Sequence, residues 1–135
     1  MKMYSLTVCD HIMIAHSFHG KEFGLAQRMH GATYAVEAEF RAATLDHLQL
    51  LIDIGLAKTV LRELLGSVDY SNLDENPLFK GTNTTTEFMA FHVHSLLAAA
   101  CHAGRLGEAG RKLAAIKIVM REAPTAWAAF EGPLG

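Results

Sequence analysis

Hydrophobic positions recur with two different periods along this chain, and the switches between them predict six elements. The first eighteen residues carry Val8, Ile12, Met13 and Ile14 and read as a strand, followed by a polar, glycine-containing loop from Ser17 to Arg28. From His30 to Ala43 the alternation is clearest. Ala32, Tyr34, Val36, Ala38 and Phe40 share one parity, and Ala35, Glu37 and Glu39 share the other, as in a strand with one buried face. A short turn around Thr44 to His47 ends it, and Leu45-Asp46-His47 is read as turn chemistry.

The period then changes. Ala57, Val60, Leu61, Leu64 and Leu65 fall at helical spacing behind Asp53, a candidate N-cap, and Gly66 closes that helix. Asn72, Asn76, Pro77 and Gly81 mark residues 67–81 as loop. Thr84-Thr85-Thr86-Glu87 has the pattern of a capping box, with Thr84 as cap and Glu87 reaching back. It opens a second helix over Thr85–Ala103, closed by Gly104. Lys112 to Glu122 alternates again, with Ala114, Ile116, Ile118 and Met120 on one face. Pro124 breaks it, and Ala126 to Phe130 forms a last strand.

Two strands, two helices and two strands predict an α+β fold, order β-β-α-α-β-β, with a four-stranded antiparallel sheet and both helices on one face. At 135 residues the expectation is one domain over 1–135. Such a sheet keeps long edges, and closing it against copies of itself is the expected remedy.

Composition narrows the classes of function. Half the residues are hydrophobic and 19% are charged, which argues against disorder. The net charge of −2 offers no basic field for nucleic acid or an anionic membrane. Leu96 to Cys101 is too short an apolar run to span a bilayer. The amino terminus, with Lys2 and Cys9-Asp10-His11, does not read as a signal peptide, so a cytoplasmic protein is expected. Cys9 and Cys101 are too few for a disulfide framework and read as two buried thiols.

Several ordered matches resemble the 6-pyruvoyltetrahydropterin synthase and 6-carboxytetrahydropterin synthase family. They are Ala15-His16, His30-Gly31 with Tyr34, Leu50-Leu51-Ile52-Asp53 with Lys58, and Asp69 with Leu73. Asn83-Thr84-Thr85-Thr86-Glu87 and Arg121-Glu122-Ala123-Pro124-Thr125-Ala126-Trp127 complete the set, from about Ile12 to Phe130. The resemblance implies a sheet with two helices on one side, assembled into a barrel of subunits with pterin pockets between them. It implies a lyase-type reaction on a dihydropterin.

It also implies site residues. Three histidines hold zinc in the family; His16 and His30 match two of them, and Ala32 stands in the third place. Three imidazoles leave a fourth tetrahedral position for substrate oxygens, so a zinc here needs a replacement donor. His19, His11 and Glu22 are the candidates, but His11 has the wrong parity to share a face with His16. The family's loop cysteine is replaced by Ala26 or Gln27, which leaves Glu22 as the loop carboxylate for a catalytic role, with a solvated loop charge as the alternative. Asp69-Tyr70 stands where the family has an Asp-His relay, so the carboxylate stays and a phenol replaces imidazole; a purely structural tyrosine is the other reading.

Glu122 matches the carboxylate that grips the pterin's amino-pyrimidine edge, where an ionised carboxyl accepts two parallel N–H bonds. Its alternative is a solvent-facing strand-end acid. Thr85 and Thr86 could bond the ligand, or merely cap the helix. His92, His94 and His102 receive no function. Three readings follow: a pterin-processing enzyme, a pterin-binding or regulatory module that has lost the zinc and relay chemistry, and a catalyst on another heterocycle using Glu22 or Tyr70.

Overall fold

The computed structural model describes residues 2–135. The long alternating segments become β1 (Tyr4–His16) and β2 (His30–Ala42), paired antiparallel in one continuous register from Tyr4 opposite Ala42 to His16 opposite His30. Both strands end together on a histidine, because their hydrophobic parities run unbroken through Ile12, Ile14 and His16 and through Tyr34, Ala32 and His30.

Helix α1 (Ile54–Leu65) starts as predicted, with the Asp53 carboxylate accepting from the Leu56 N–H at 2.9 Å. Helix α2 (Thr86–His102) starts one residue later than the capping-box reading. Thr85 is its cap, accepting from the Phe88 N–H at 3.1 Å, while Thr84 is buried and turned elsewhere. Gly104, at φ 81°, follows the end of α2 as expected of a residue in the left-handed region. The carboxyl-terminal hairpin, β4 (Ala115–Ala123) and β5 (Ala126–Gly132), turns tightly at Pro124-Thr125, with a register irregularity between Arg121 and Ala123.

The sheet departs from the predicted four antiparallel strands. Among the described residues it has five, in the order β3-β1-β2-β4-β5, and is mixed, because β3 (Ser71–Asn72) lies parallel to β1 beside Ile14 and Ala15. Two residues carry no periodicity to read. The strand exists because the Asp69 carboxylate accepts from the Met13 N–H and the Tyr70 N–H donates to the Met13 carbonyl, drawing the loop onto that edge. A third, five-residue helix, α3 (Gly107–Arg111), was also unanticipated. The other elements stand where predicted, and the layout is α+β.

One face of the sheet carries the core. Ile12, Tyr34, Val36, Phe40, Ile116, Ile118 and Met120 meet Leu61 and Leu65 of α1 and Met89, Val93 and Leu97 of α2. The three helix histidines have structural roles. His94 and His102 donate from Nε2 to the Gly132 and Leu134 carbonyls and strap the carboxyl-terminal tail to α2. His92 packs edge-on to Phe79, with a ring separation of 4.9 Å, and burial lowers its pKa from the ordinary 6.5. A histidine that resists protonation when folded contributes stability present in full above its unfolded pKa and lost as pH falls below it. Thermal melts are therefore expected to drop as pH is lowered through the mid-sixes toward 5, and to drop less in His92→Gln.

Only one thiol matches the reading of two buried cysteines. Cys101 is buried, and burial pushes its pKa up to about 11. Cys9 is exposed, because its parity places it on the sheet face away from the helices, opposite Glu37. Alkylation of the native protein should therefore label Cys9 and spare Cys101 until the chain unfolds. A protected Cys9 would mean that another chain covers that face. Among the described residues no helix is long and apolar enough to cross a membrane.

Candidate functional site

Closing the β1–β2 register on His16 and His30 brings their rings to a centroid separation of 4.6 Å, inclined at 61°. His16 is buried, its Nδ1 3.0 Å from the Thr84 hydroxyl. His30 Nδ1 lies 2.8 Å from the Arg28 carbonyl, which can only accept, so that nitrogen carries the proton and Nε2 keeps its lone pair. Phe18 packs on both imidazoles, at 4.6 and 5.6 Å, and on Phe23. Burial lowers the His16 pKa, the neighbouring His30 pushes the same way, and Asp74 and Thr84 oppose them. His16 is thus held neutral, and Phe18 covers one side of the pair.

The loop after β1 is tied down around this pair. Asp74 accepts from the Ser17 N–H and hydroxyl, and Asn83 exchanges two hydrogen bonds with the His19 backbone. Sequence reasoning gave no role to Ser17 or Asp74, whose only signal was polarity in segments read as loop, and it read Thr84 as a helix cap rather than as the partner of His16.

Glu122 lies at the far end of the same strip. It lines an open groove of about 530 Å³ with Thr86, Glu87, Thr125, Ala126, Trp127 and Ala128, so it sits on the helix-bearing side of the sheet. Tyr34, 1% exposed, is buried close to Thr86, Glu87 and Glu122, on the same face of β2 as His30. Burial raises its pKa, Glu122 and Glu87 raise it further, and a hydrogen bond to Thr86 opposes them, so the phenol stays protonated. Along β2, Tyr34 is four residues from His30, about 13 Å at ~3.3 Å per residue.

The start of α2 joins both ends. Thr84 meets His16, Thr85 caps the helix, and Thr86 meets Tyr34 beside Glu122. Thr85 thus has a structural bond, and Thr86 lines the groove. Tyr34 was quoted as a motif residue without a role; its parity with His30 was the available clue.

The other candidates lie outside the strip. Asp69 bonds Arg62 at 2.7 Å and the Met13 N–H at 2.9 Å; burial pushes its carboxyl up, but these bonds outweigh it and the pKa is lowered. Tyr70 is 79% exposed at the sheet edge with φ 56°, in the left-handed region that favours glycine. Glu22 is exposed in a 3-10 segment, Lys21–Gln27, with its carboxylate folded over Gly20. His11 lies on the opposite sheet face from His16 and is largely exposed.

Catalytic zinc takes three protein ligands. The strip offers two imidazoles and, in the third position, the methyl group of Ala32. Among the described residues no group of three or more His, Cys, Asp or Glu side chains is placed to hold a metal. The donor set does not fit the zinc centre that the resemblance implies.

The sequence matches a family model described as 6-pyruvoyl tetrahydropterin synthase over residues 5–133. No curated protein sequence matches the chain. The fold is similar to that of Caenorhabditis elegans 6-pyruvoyl tetrahydropterin synthase, with a TM-score of 0.80 and 23% identity, covering 98% of this chain and 97% of that one. It is also similar to the Plasmodium vivax synthase, at TM-score 0.78 and 14% identity over 98% and 99% of the two chains. The Plasmodium falciparum protein gives a TM-score of 0.77 at 14% identity over 97% and 98%. At such identities the likeness is one of fold.

Proposed function

Since the chain belongs to the 6-pyruvoyl tetrahydropterin synthase family, we propose that it binds a reduced pterin along the β2 strip and processes its side chain. The ring lies in the groove, with the Glu122 carboxylate accepting two N–H bonds from the amino-pyrimidine edge. The three-carbon side chain runs over Tyr34 toward the imidazoles. A bicyclic ring with such a chain, hydrogen-bonded at both ends, suits a span of about 13 Å along the strand.

The chemistry assigned to this chain's own residues is proton handling and orientation. His30 Nε2 can accept a proton from a side-chain hydroxyl, because the Arg28 carbonyl holds the other nitrogen protonated. His16, kept neutral by burial, offers a second hydrogen-bonding nitrogen. Phe18 and Phe23 shield this end from water. Asp69 is assigned a positioning role, holding the β1 edge and with it the exposed Tyr70, which would act on a neighbouring copy in an edge-to-edge assembly. Glu22 is the loop carboxylate nearest in sequence to the pair and the remaining proposed acid or base.

The observation that carries this reading is Glu122 itself: an acid with no hydrogen bond or ion pair among the described residues, lining an open groove beside a buried, protonated tyrosine. Titration with a dihydropterin bearing a three-carbon side chain, followed by fluorescence, tests it, and product analysis tests turnover. Binding with turnover supports a lyase-type enzyme. A specific observation favours a second reading, that of a pterin-binding or regulatory module: Ala32 removes a metal ligand and Tyr70 replaces an imidazole in the same chain. Binding without turnover selects that reading. Failure to bind any pterin removes both.

A further inference from the structure

We infer that the His16–His30 pair is a metal site stopped one ligand short, and that Ala32 alone separates this chain from a tight three-imidazole zinc centre. The argument is geometric. Two imidazoles on one tetrahedral zinc, with Zn–N of about 2.0–2.1 Å, bring their ring centroids to about 5 Å of each other. The pair stands at 4.6 Å without any rearrangement. Each ring has its Nδ1 tied, to the Arg28 carbonyl and to Thr84, the kind of outer contact that orients a metal-binding histidine and leaves Nε2 free.

Ala32 completes the triangle by position. It lies two residues from His30 on the same face of β2, and diagonally across from His16, since Ile14 is its direct partner and His16 pairs with His30. Diagonal cross-strand positions lie about 7–8 Å apart, within reach of a side chain as long as histidine. The nearby donors are otherwise engaged or turned away. Asp74 is bonded to Ser17, Glu22 folds over Gly20, His11 lies on the other sheet face, and His19 is exposed on a loop pinned to Asn83. The resident protein therefore uses the pair as free imidazoles.

The inference does not depend on which heterocycle the groove takes, because its readout is metal. Zinc affinity is measured by competition with a chromophoric chelator, and coordination by the visible spectrum of the cobalt(II) form. The variants are wild type, Ala32→His, Ala32→Cys, and Ala32→His combined with His30→Ala. A third ligand should be worth more than the roughly 10–100-fold that an outer contact contributes. The expected result is weak binding by wild type, a gain of more than about 100-fold in Ala32→His with an intense tetrahedral cobalt spectrum, and loss of both in the double variant. Ala32→Cys, with a smaller side chain, serves if histidine does not fit the partly buried position. One tight zinc per wild-type chain, lost in His30→Ala, would overturn the inference. So would a folded Ala32→His and a folded Ala32→Cys that both bind no better than wild type.

Discussion

Exchanging Glu122 for glutamine is expected to weaken reduced-pterin binding by at least roughly 30-fold, and to leave the melting temperature nearly unchanged. The substitution keeps the shape but replaces one acceptor oxygen by a donor NH2, which then faces the N–H donors of the ring edge. It also removes the charge that strengthens both bonds. Hydrogen bonds to charged groups contribute about 1.5–3 kcal/mol, so losing one and opposing another supports a cost of about 2–3 kcal/mol, or roughly 30- to 150-fold. Stability should not follow, because Glu122 is exposed and bonds to no described residue; substitutions at such positions usually stay within about 0.5 kcal/mol. Fluorescence titration beside a thermal melt separates the two. Unaltered affinity would show that the groove is not where the ring binds.

Phe40→Ala is expected to have the opposite signature. Phe40 is 0% exposed near the carboxyl-terminal end of β2, between Leu6 of β1 and Ile116 of β4. Removing a buried phenyl ring forfeits its transfer free energy and leaves a cavity that a strand paired on both sides cannot close; the cost is about 3–5 kcal/mol. For a chain of 135 residues this corresponds to a fall in melting temperature of roughly 10–18 °C. Pterin affinity measured well below the transition should hold, because Phe40 lies six residues along the strand from Tyr34. A loss of affinity matching Glu122→Gln would tie the groove to core packing and weaken the binding argument.

Most of the architecture was legible because it rests on long periodic segments. The alternation from His30 to Ala43 specified β2 and its buried parity, and with it the facing of His30, Ala32 and Tyr34. Asp53 was readable as a cap because one residue and one hydrogen bond decide it. The shift from Thr84 to Thr85 was not readable. Three consecutive threonines are equal candidates by local chemistry, and the choice is made by His16, 68 residues away, which takes the Thr84 hydroxyl. β3 was missed for a similar reason: it is produced by Asp69 and Tyr70 reaching the edge of β1 rather than by any pattern in Ser71-Asn72. The exposure of Cys9 followed from parity and could have been read. A general preference of thiols for interiors was applied where the alternation of β1 should have decided.

The four residues from Asn83 to Thr86 each answer to a different neighbour: the His19 backbone, the His16 ring, the first turn of their own helix and the Tyr34 phenol. A chain held at four successive links cannot slip by one. Shortening or lengthening the segment between Phe79 and Asn83 by a single residue would displace every link by about 3.8 Å and break all four at once. This junction should therefore accept changes of side chain far more readily than changes of length.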